Sequence, residues 1–224
     1  MCGRYALFRT GELVKRFKTR PPPSKLRDSY NVAPGQMLPV VVEEDQTRAV
    51  EFMKWGLVPM WAKDPSIGYR MINARAEGIF EKPAWRGPIR RHRCLVPANG
   101  FYEWKVRPGE RTKQPFFIHP KDQGLFSFAG IYDIWHNAEG DELLTYAIVT
   151  TTPNKEMATL HDRMPVILHP DDWDMWLDPA LQGRDALESP LRPYQDDSLE
   201  MYEVSTDVNT VKNNEGYLVQ PVHA

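Results

Sequence analysis

The sequence predicts an α+β fold built mostly from antiparallel strands. Three observations carry that expectation. Segments with the alternation of strands outnumber those with helical spacing, and the two kinds do not alternate regularly along the chain. Twenty prolines and fourteen glycines in 224 residues leave room for short helices only. No internal repeat, coiled-coil heptad, Rossmann fingerprint or P-loop is present.

Taken in order, residues 11–18 place Leu13, Val14 and Phe17 at helical spacing and predict a short amphipathic helix. The three prolines that follow within residues 20–24 cannot continue it and mark an exposed loop. Residues 38–43 and 49–55, split by the polar turn Glu44-Asp45-Gln46, predict a hairpin. Residues 59–68 form a loop carrying Trp61. A helix is expected to start at residues 73–79, and residues 84–91 are short and basic. Strands are expected over 93–96, 100–105, 115–119, 126–132 and 144–151. Helices follow at 153–160, capped by Thr152 or Asn154, and at 171–177, capped by Asp171, with another fragment at 187–192. The last strand is 201–204, before a polar loop and the segment 216–221. The length fits one domain over residues 1–224 and a core large enough to need neither disulfide nor metal.

Composition narrows the function classes. No apolar run reaches the length of a membrane span, and MCGRYALFRT lacks both the apolar stretch of a signal peptide and a lipobox. A cytoplasmic location is expected, associated with the nucleoid when bound to DNA, or a nuclear one in a eukaryote. The only cysteines, Cys2 and Cys94, do not make a disulfide framework, and no Cys/His cluster has zinc spacing, so no metal or cofactor is expected. The net charge of −2 confines any nucleic-acid surface to a local patch. No feature demands an obligate interface, and a monomer is expected.

Cys2 follows the initiator methionine, which is commonly trimmed before a small residue. Trimming leaves an α-amine and a thiol on one residue, with reference pKa values of about 8 and 8.5. The amine can form a Schiff base with an aldehyde, and the thiol can then close a five-membered thiazolidine. Only an N-terminal cysteine offers this 1,2-aminothiol. Four further stretches concentrate chemistry: Ile72-Asn73-Ala74-Arg75-Ala76-Glu77; RCLVPANGFYEW, with Glu103 inside an apolar strand; Leu160-His161-Asp162-Arg163; and the tryptophans of WGLVPMW. Each has a structural alternative. Glu103 can pair with Lys105 or Arg107, His161 can be a surface or cap residue, Asn73 can cap a helix, and Arg75 and Arg163 can pair with Glu77 and Asp162. Trp55 and Cys94 read as core. The cluster Arg86, Arg90, Arg91, His92 and Arg93 can be a solvated face or part of a binding groove.

The pieces MCGRYA, YNVAPG, WGLVP, INARAE, RCLVPANGFYEW, QPFFI, IVTT, LHDRMPVIL and VNTVKNN run in order from residue 1 to about residue 214. In this register the sequence resembles the SRAP (SOS-response-associated peptidase) domain family of abasic-site processing proteins. The resemblance implies an open, barrel-like sheet core surrounded by short helices. It implies that Cys2, after loss of Met1, cross-links to the ring-opened sugar of an abasic site in single-stranded DNA. By the same resemblance Asn73 orients the adduct, and Glu103 and His161 move protons. Arg4, Arg75 and Arg163 hold phosphates, Trp61 and Trp104 offer aromatic surface to bases, and Asn31 joins the DNA-binding set. A slow reversal or a lyase step is a natural companion, because a Schiff base at C1′ acidifies the C2′ protons and lets the 3′ phosphate leave. Two other readings stand beside this one. Cys2 and His161 could act as a thiol peptidase, which would need neither DNA nor a free α-amine. A non-covalent reader of single-stranded or modified DNA would bind intact DNA as tightly as abasic DNA. Proteins of a replication fork are possible partners that the sequence does not specify.

Overall fold

The segment Leu-Pro-Val-Val-Val, followed by Glu-Glu-Asp-Gln and a second apolar run, folds as the hairpin its pattern predicts. Strand β3 (Met37–Glu44) pairs antiparallel with β4 (Thr47–Trp55) from Met37↔Lys54 to Glu44↔Thr47. Asp45 and Gln46 both have positive φ, 48° and 61°, the two-residue geometry that suits the twist of a hairpin. The computed structural model describes residues 2–107, 109, 112–122 and 124–222.

Around this hairpin stand β1 (Tyr5–Leu7), β2 (Ser29–Val32), β5 (Asn73–Arg75), β6 (Arg93–Ala98), β7 (Gly100–Val106), β8 (Lys113–Pro120), β9 (Phe126–His136), β10 (Glu142–Thr151), β11 (Met164–Pro165), β12 (Ile167–Leu168) and β13 (Leu199–Glu203). The helices are short: α1 (Leu13–Phe17), α2 (Pro88–Arg91), α3 (Lys155–Ala158), α4 (Trp173–Leu177) and α5 (Arg184–Glu188). Strands β10, β4, β3, β6 and β9 follow one another by pairing, and β9 pairs back onto β10, so these five strands close a ring. Every pairing in the ring is antiparallel except β4 with β10. A second sheet runs β13-β8-β7-β1-β2. The expected α+β class, with a barrel-like, mostly antiparallel core and short helices, is the observed one; the ring closes where an open barrel was expected. Among the described residues, no helix is long and apolar enough to cross a membrane.

The two sheets share a core because the chain leaves one for the other within a single residue. β6 ends at Ala98, β7 begins at Gly100, and Asn99 is the corner. Its backbone N–H donates to the Ala6 carbonyl at 2.8 Å and its side-chain oxygen accepts from the Phe8 N–H at 2.7 Å, tying the corner to β1. Tyr5 and Phe101 of the second sheet meet Phe128 of the ring edge-on. Tyr5 also meets Trp55 edge-on and shares a 2.8 Å hydrogen bond with the Tyr146 hydroxyl. Trp55 and Cys94 are core residues, as read from the sequence. The other face of the second sheet carries a smaller cluster around Tyr102, Phe117, Val208 and Leu218.

Several local expectations are corrected. Residues 73–79 do not begin a helix: Asn73, Ala74 and Arg75 pair in parallel with Ile148, Val149 and Thr150 of β10, and a 3-10 turn follows over Ala76–Gly78. Asn73 is therefore a strand residue and not a cap. The helix at 171–177 is a 3-10 turn, Pro170–Asp172, leading into α4, and its cap is the His169 side chain rather than Asp171. The expected helical fragment at 187–192 lies earlier in the chain, as α5. Asn154 caps α3 by accepting from the Met157 N–H, as expected.

The basic cluster divides. Arg86 and Arg91 are exposed, and Arg90 lies over the Phe80 ring. Arg93 is buried and donates to the carbonyls of Trp176, Ile89, Arg90, Asp178 and Leu181, which fastens β6 to α2 and to the end of α4. Replacing Arg93 by Met keeps the aliphatic volume but strands these acceptors. Arg93→Met is expected to lower stability by about 3 kcal/mol or more in urea unfolding; an unchanged midpoint would show that the residue does not fasten these elements.

Candidate functional site

Cys2 lies just before β1, fully buried in the main core. Burial pushes its thiol pKa well up, and the nearby Glu103 charge adds to the rise. Asn73 reaches it from β5. The Asn73 amide donates to the Cys2 carbonyl at 3.1 Å and to the Ile72 carbonyl at 2.9 Å. Both donors of the amide are thus aimed at backbone, and its buried oxygen has no hydrogen-bond partner among the described residues. Parallel pairing of β5 with β10 sets this position, since Asn73 sits opposite Ile148.

Glu103 comes from β7. Alternation along the strand turns Phe101 and Glu103 to the main core and Tyr102 to the opposite face. Glu103 is 3% exposed, and burial pushes its carboxyl up to about 7. His161 follows α3, and its N–H bonds to the Met157 carbonyl at 2.8 Å. Its Nε2 lies 4.0 Å from Glu103 Oε2. Nδ1 accepts from the Arg163 backbone N–H at 3.0 Å and also lies 2.9 Å from Asp162 Oδ1. Nδ1 cannot accept from one and donate to the other. The backbone donor is fixed and Asp162 is exposed, so the neutral ring with an unprotonated Nδ1 is favoured. Burial, the leading influence, also holds the His161 pKa below its ordinary value. The remaining ring proton is then on Nε2, facing Glu103. A carboxyl that titrates near neutrality beside a neutral imidazole can both give and take protons at pH 7.

Thus Cys2, Asn73, Glu103 and His161, drawn from four parts of the chain, are brought together by β1, β5, β7 and the turn after α3. The expected DNA-contacting residues are placed less uniformly. Trp61 is 58% exposed on a turn held by Met60 N–H bonded to Asp133 and by Trp135 bonded to the Ala62 carbonyl. Beside it a cavity of 510 Å³ is bordered by Arg86 and Pro88. Arg75 is exposed. Arg163 is buried and makes a two-pronged pair with Glu77, at 2.5 and 2.9 Å, and a 2.7 Å bond to the Thr150 carbonyl. Of the two carboxylates read as alternatives for the arginines, Glu77 is therefore the partner of Arg163.

Arg4, Asn31 and Trp104 share a feature to which sequence reasoning gave no role. Arg4 donates to Asn31 Oδ1 at 2.6 Å and to the Val208 carbonyl at 2.7 Å, and lies over the Trp104 ring. The Asn31 amide donates to the carbonyls of Val208, Thr210 and Asn213, and Trp104 donates to Asn209. The loop around residues 208–213 is thereby clamped next to β1 and β7. Its asparagine-rich stretch VNTVKNN was the available signal, but the carbonyls that do the bonding leave no trace in a sequence. Among the described residues, no group of three or more His, Cys, Asp or Glu could hold a metal ion.

Residues 1–211 match the family model for SOS response associated peptidase (SRAP). Over 223 residues the chain is 44% identical to abasic site processing protein YoqW of Bacillus subtilis (strain 168), covering 98% of this chain and 99% of that one. It is 35% identical over 231 residues to abasic site processing protein HMCES of Gallus gallus, covering 88% of this chain and 67% of that one. The crystal structure of a protein from Bacteroides thetaiotaomicron superposes with a TM-score of 0.87 at 30% identity, covering 98% and 99% of the two chains. Sequence and architecture agree, and the chain belongs to the SRAP family.

Proposed function

We propose that this protein processes abasic sites in single-stranded DNA by bonding to them covalently through Cys2, once Met1 has been removed. The observation that carries this reading is the convergence of the Asn73 amide on Cys2 within a site where Glu103 and His161 stand 4.0 Å apart. The names of the family relatives support the target.

The chemistry follows from those groups. An abasic sugar is mostly a closed hemiacetal. Opening it requires removal of the anomeric hydroxyl proton and delivery of a proton to the ring oxygen, work suited to Glu103 and His161. The α-amine of Cys2 adds to the C1′ aldehyde to give a carbinolamine. Protonation of its hydroxyl expels water and leaves an imine. The thiol sulfur then bonds to C1′, its proton passes to nitrogen, and a thiazolidine closes. Asn73 keeps the Cys2 carbonyl fixed while its unpartnered oxygen is available to a sugar hydroxyl. Ring closure removes the imine, and with it the β-elimination that would cut the strand.

Trp61 and Arg75 are exposed and meet the strand directly in this reading, by stacking and by phosphate contact. Arg4, Asn31 and Arg163 already have protein partners, so phosphate contacts from the two arginines compete with Asn31, Val208 and Glu77. Trp104 lines the same side as Arg4. The peptidase reading fares worse. A thiol protease needs an easily ionised thiol, whereas burial and the charge of Glu103 hold Cys2 in the neutral form.

The direct experiment is a denaturing-gel assay with an abasic single-stranded oligonucleotide and protein whose N-terminus has been checked by mass spectrometry. A heat- and detergent-resistant band is expected from the Met1-free protein and from neither Cys2→Ala nor the Met1-retaining form. No band from the Met1-free protein would sink the proposal.

Glu103→Gln is expected to slow adduct formation by roughly 10²–10⁴-fold. It should also remove from the rate profile an inflection at about pH 7. A profile with the same inflection in the variant would assign that titration to another group.

The same carboxyl sets a stability signature. It binds its proton more tightly in the folded than in the unfolded chain, where a glutamate titrates at about 4.3. Relative to Glu103→Gln, the protein therefore loses stability as pH rises from the unfolded value through about 7. The loss is on the order of 3 kcal/mol, read by urea unfolding at a series of pH values. A difference independent of pH would contradict the raised carboxyl.

A further inference from the structure

The second sheet has a cavity on the face turned away from Glu103. Along β8, Phe116 is paired with Glu103, so Phe117 and His119 point to the other side; in β13, Tyr202 and Glu200 are their cross-strand partners. These side chains, with Phe8, Tyr30 and Asn99, border a space of 750 Å³ whose outer wall is the C-terminal segment from Gly216 to Pro221. Its volume falls in the range of small-molecule sites, and aromatic lining with a few polar groups is their usual make-up. None of the groups assigned to abasic-site chemistry borders it.

The polar groups around this cavity are unequally satisfied. Asn99 is 4% exposed. Its oxygen is used by the Phe8 N–H, while its buried amide nitrogen has no hydrogen-bond partner among the described residues. An unused buried donor is costly to maintain, and a carbonyl or ring-nitrogen acceptor entering the cavity can satisfy it in place of water. His119 is also buried, with Nδ1 2.8 Å from the Pro120 carbonyl. A carbonyl can only accept, so Nδ1 carries the proton and Nε2 faces Glu200 at 3.8 Å. Phe8 and Tyr30 stack with centroids 5.1 Å apart, and Tyr202 lies within 6.0 Å of both Phe117 and His119. Arg9 borders the cavity from an exposed position with its guanidinium paired to Glu12 at 2.9 Å, so a phosphate at the mouth shares that guanidinium with the Glu12 carboxylate.

We infer that this cavity is a nucleotide-binding site, taking a base against the Phe8, Tyr30 and Tyr202 rings, with a base acceptor on Asn99 and the phosphate toward Arg9. Rings, a neutral donor in the interior and a cation at the rim match the flat, acceptor-bearing and anionic parts of one nucleotide. The nucleotide can be free, or it can be part of a strand that continues around the protein from the Cys2 face.

Calorimetric titration with deoxynucleoside 5′-monophosphates tests this on the whole protein. Saturable binding is expected, weaker by about tenfold in Asn99→Asp, which retains the acceptor for Phe8 N–H and lacks the donor. Arg9→Ala should weaken the monophosphate and leave the corresponding nucleoside unchanged. An oligonucleotide without an abasic site that displaces the monophosphate identifies a strand as the source; failure to displace identifies the free nucleotide. Absence of saturable binding overturns the inference. So does an affinity unchanged in both variants, each checked for native melting. Arg9→Ala should still capture abasic DNA, so failure here is separable from failure of the covalent proposal.

Discussion

The fold depends on the corner at Asn99. Within the run RCLVPANGFYEW the chain completes a strand of the closed ring, turns, and starts the central strand of the second sheet. Asn99 holds that turn against β1 with both its backbone and its side chain. One consequence is that β1 is held beside β7 in the second sheet, with Cys2 and Tyr5 in the core that this sheet shares with the ring. Another is that Glu103, four residues beyond the corner, is delivered into the main core rather than to the surface. A carboxyl so placed is hard to ionise, which is what gives it a titration near neutrality. Packing and chemistry thus share one constraint: the geometry that buries the first strand also tunes the acid beside it.

Much of the architecture was legible because it is local. The β3–β4 hairpin follows from two apolar runs and a polar turn, and the strands from β6 to β10 follow from alternation. The site was legible in a different way. Cys2, Asn73, Glu103 and His161 could be named from motifs, but no periodicity joins residues so far apart. The errors are informative. Asn73 to Arg75 has the look of a helix start, yet parallel pairing with β10 overrides that local preference. Arg93 reads as one member of a basic run, yet two carbonyls of the adjoining helix and three from residues 176–181 claim it. The polar residues of the 208–213 loop read as a tail, while its carbonyls anchor Arg4 and Asn31.

Arginine placement separates two tasks that a sequence merges. Arg75 is open to solvent, whereas Arg163 and Arg4 are already committed to protein acceptors. A guanidinium presents several donors in a rigid fork, so a residue can brace the fold with part of it. The net charge of −2 is then no obstacle to handling DNA, because the cations near the site are few and specifically placed.

The position of Cys2 has a consequence for biosynthesis. In the proposed function Cys2 leaves the ribosome early, while Asn73 lies 71 residues later and Glu103 and His161 later still. If Met1 is trimmed in that interval, as the proposed function requires, the aminothiol has no fold around it and is open to other aldehydes. Burial of Cys2 is therefore a form of chemical custody that begins only when the turn after α3 has been synthesised. On the proposed function, the speed with which the later elements close over the first strand sets how much newly made protein keeps Cys2 unreacted.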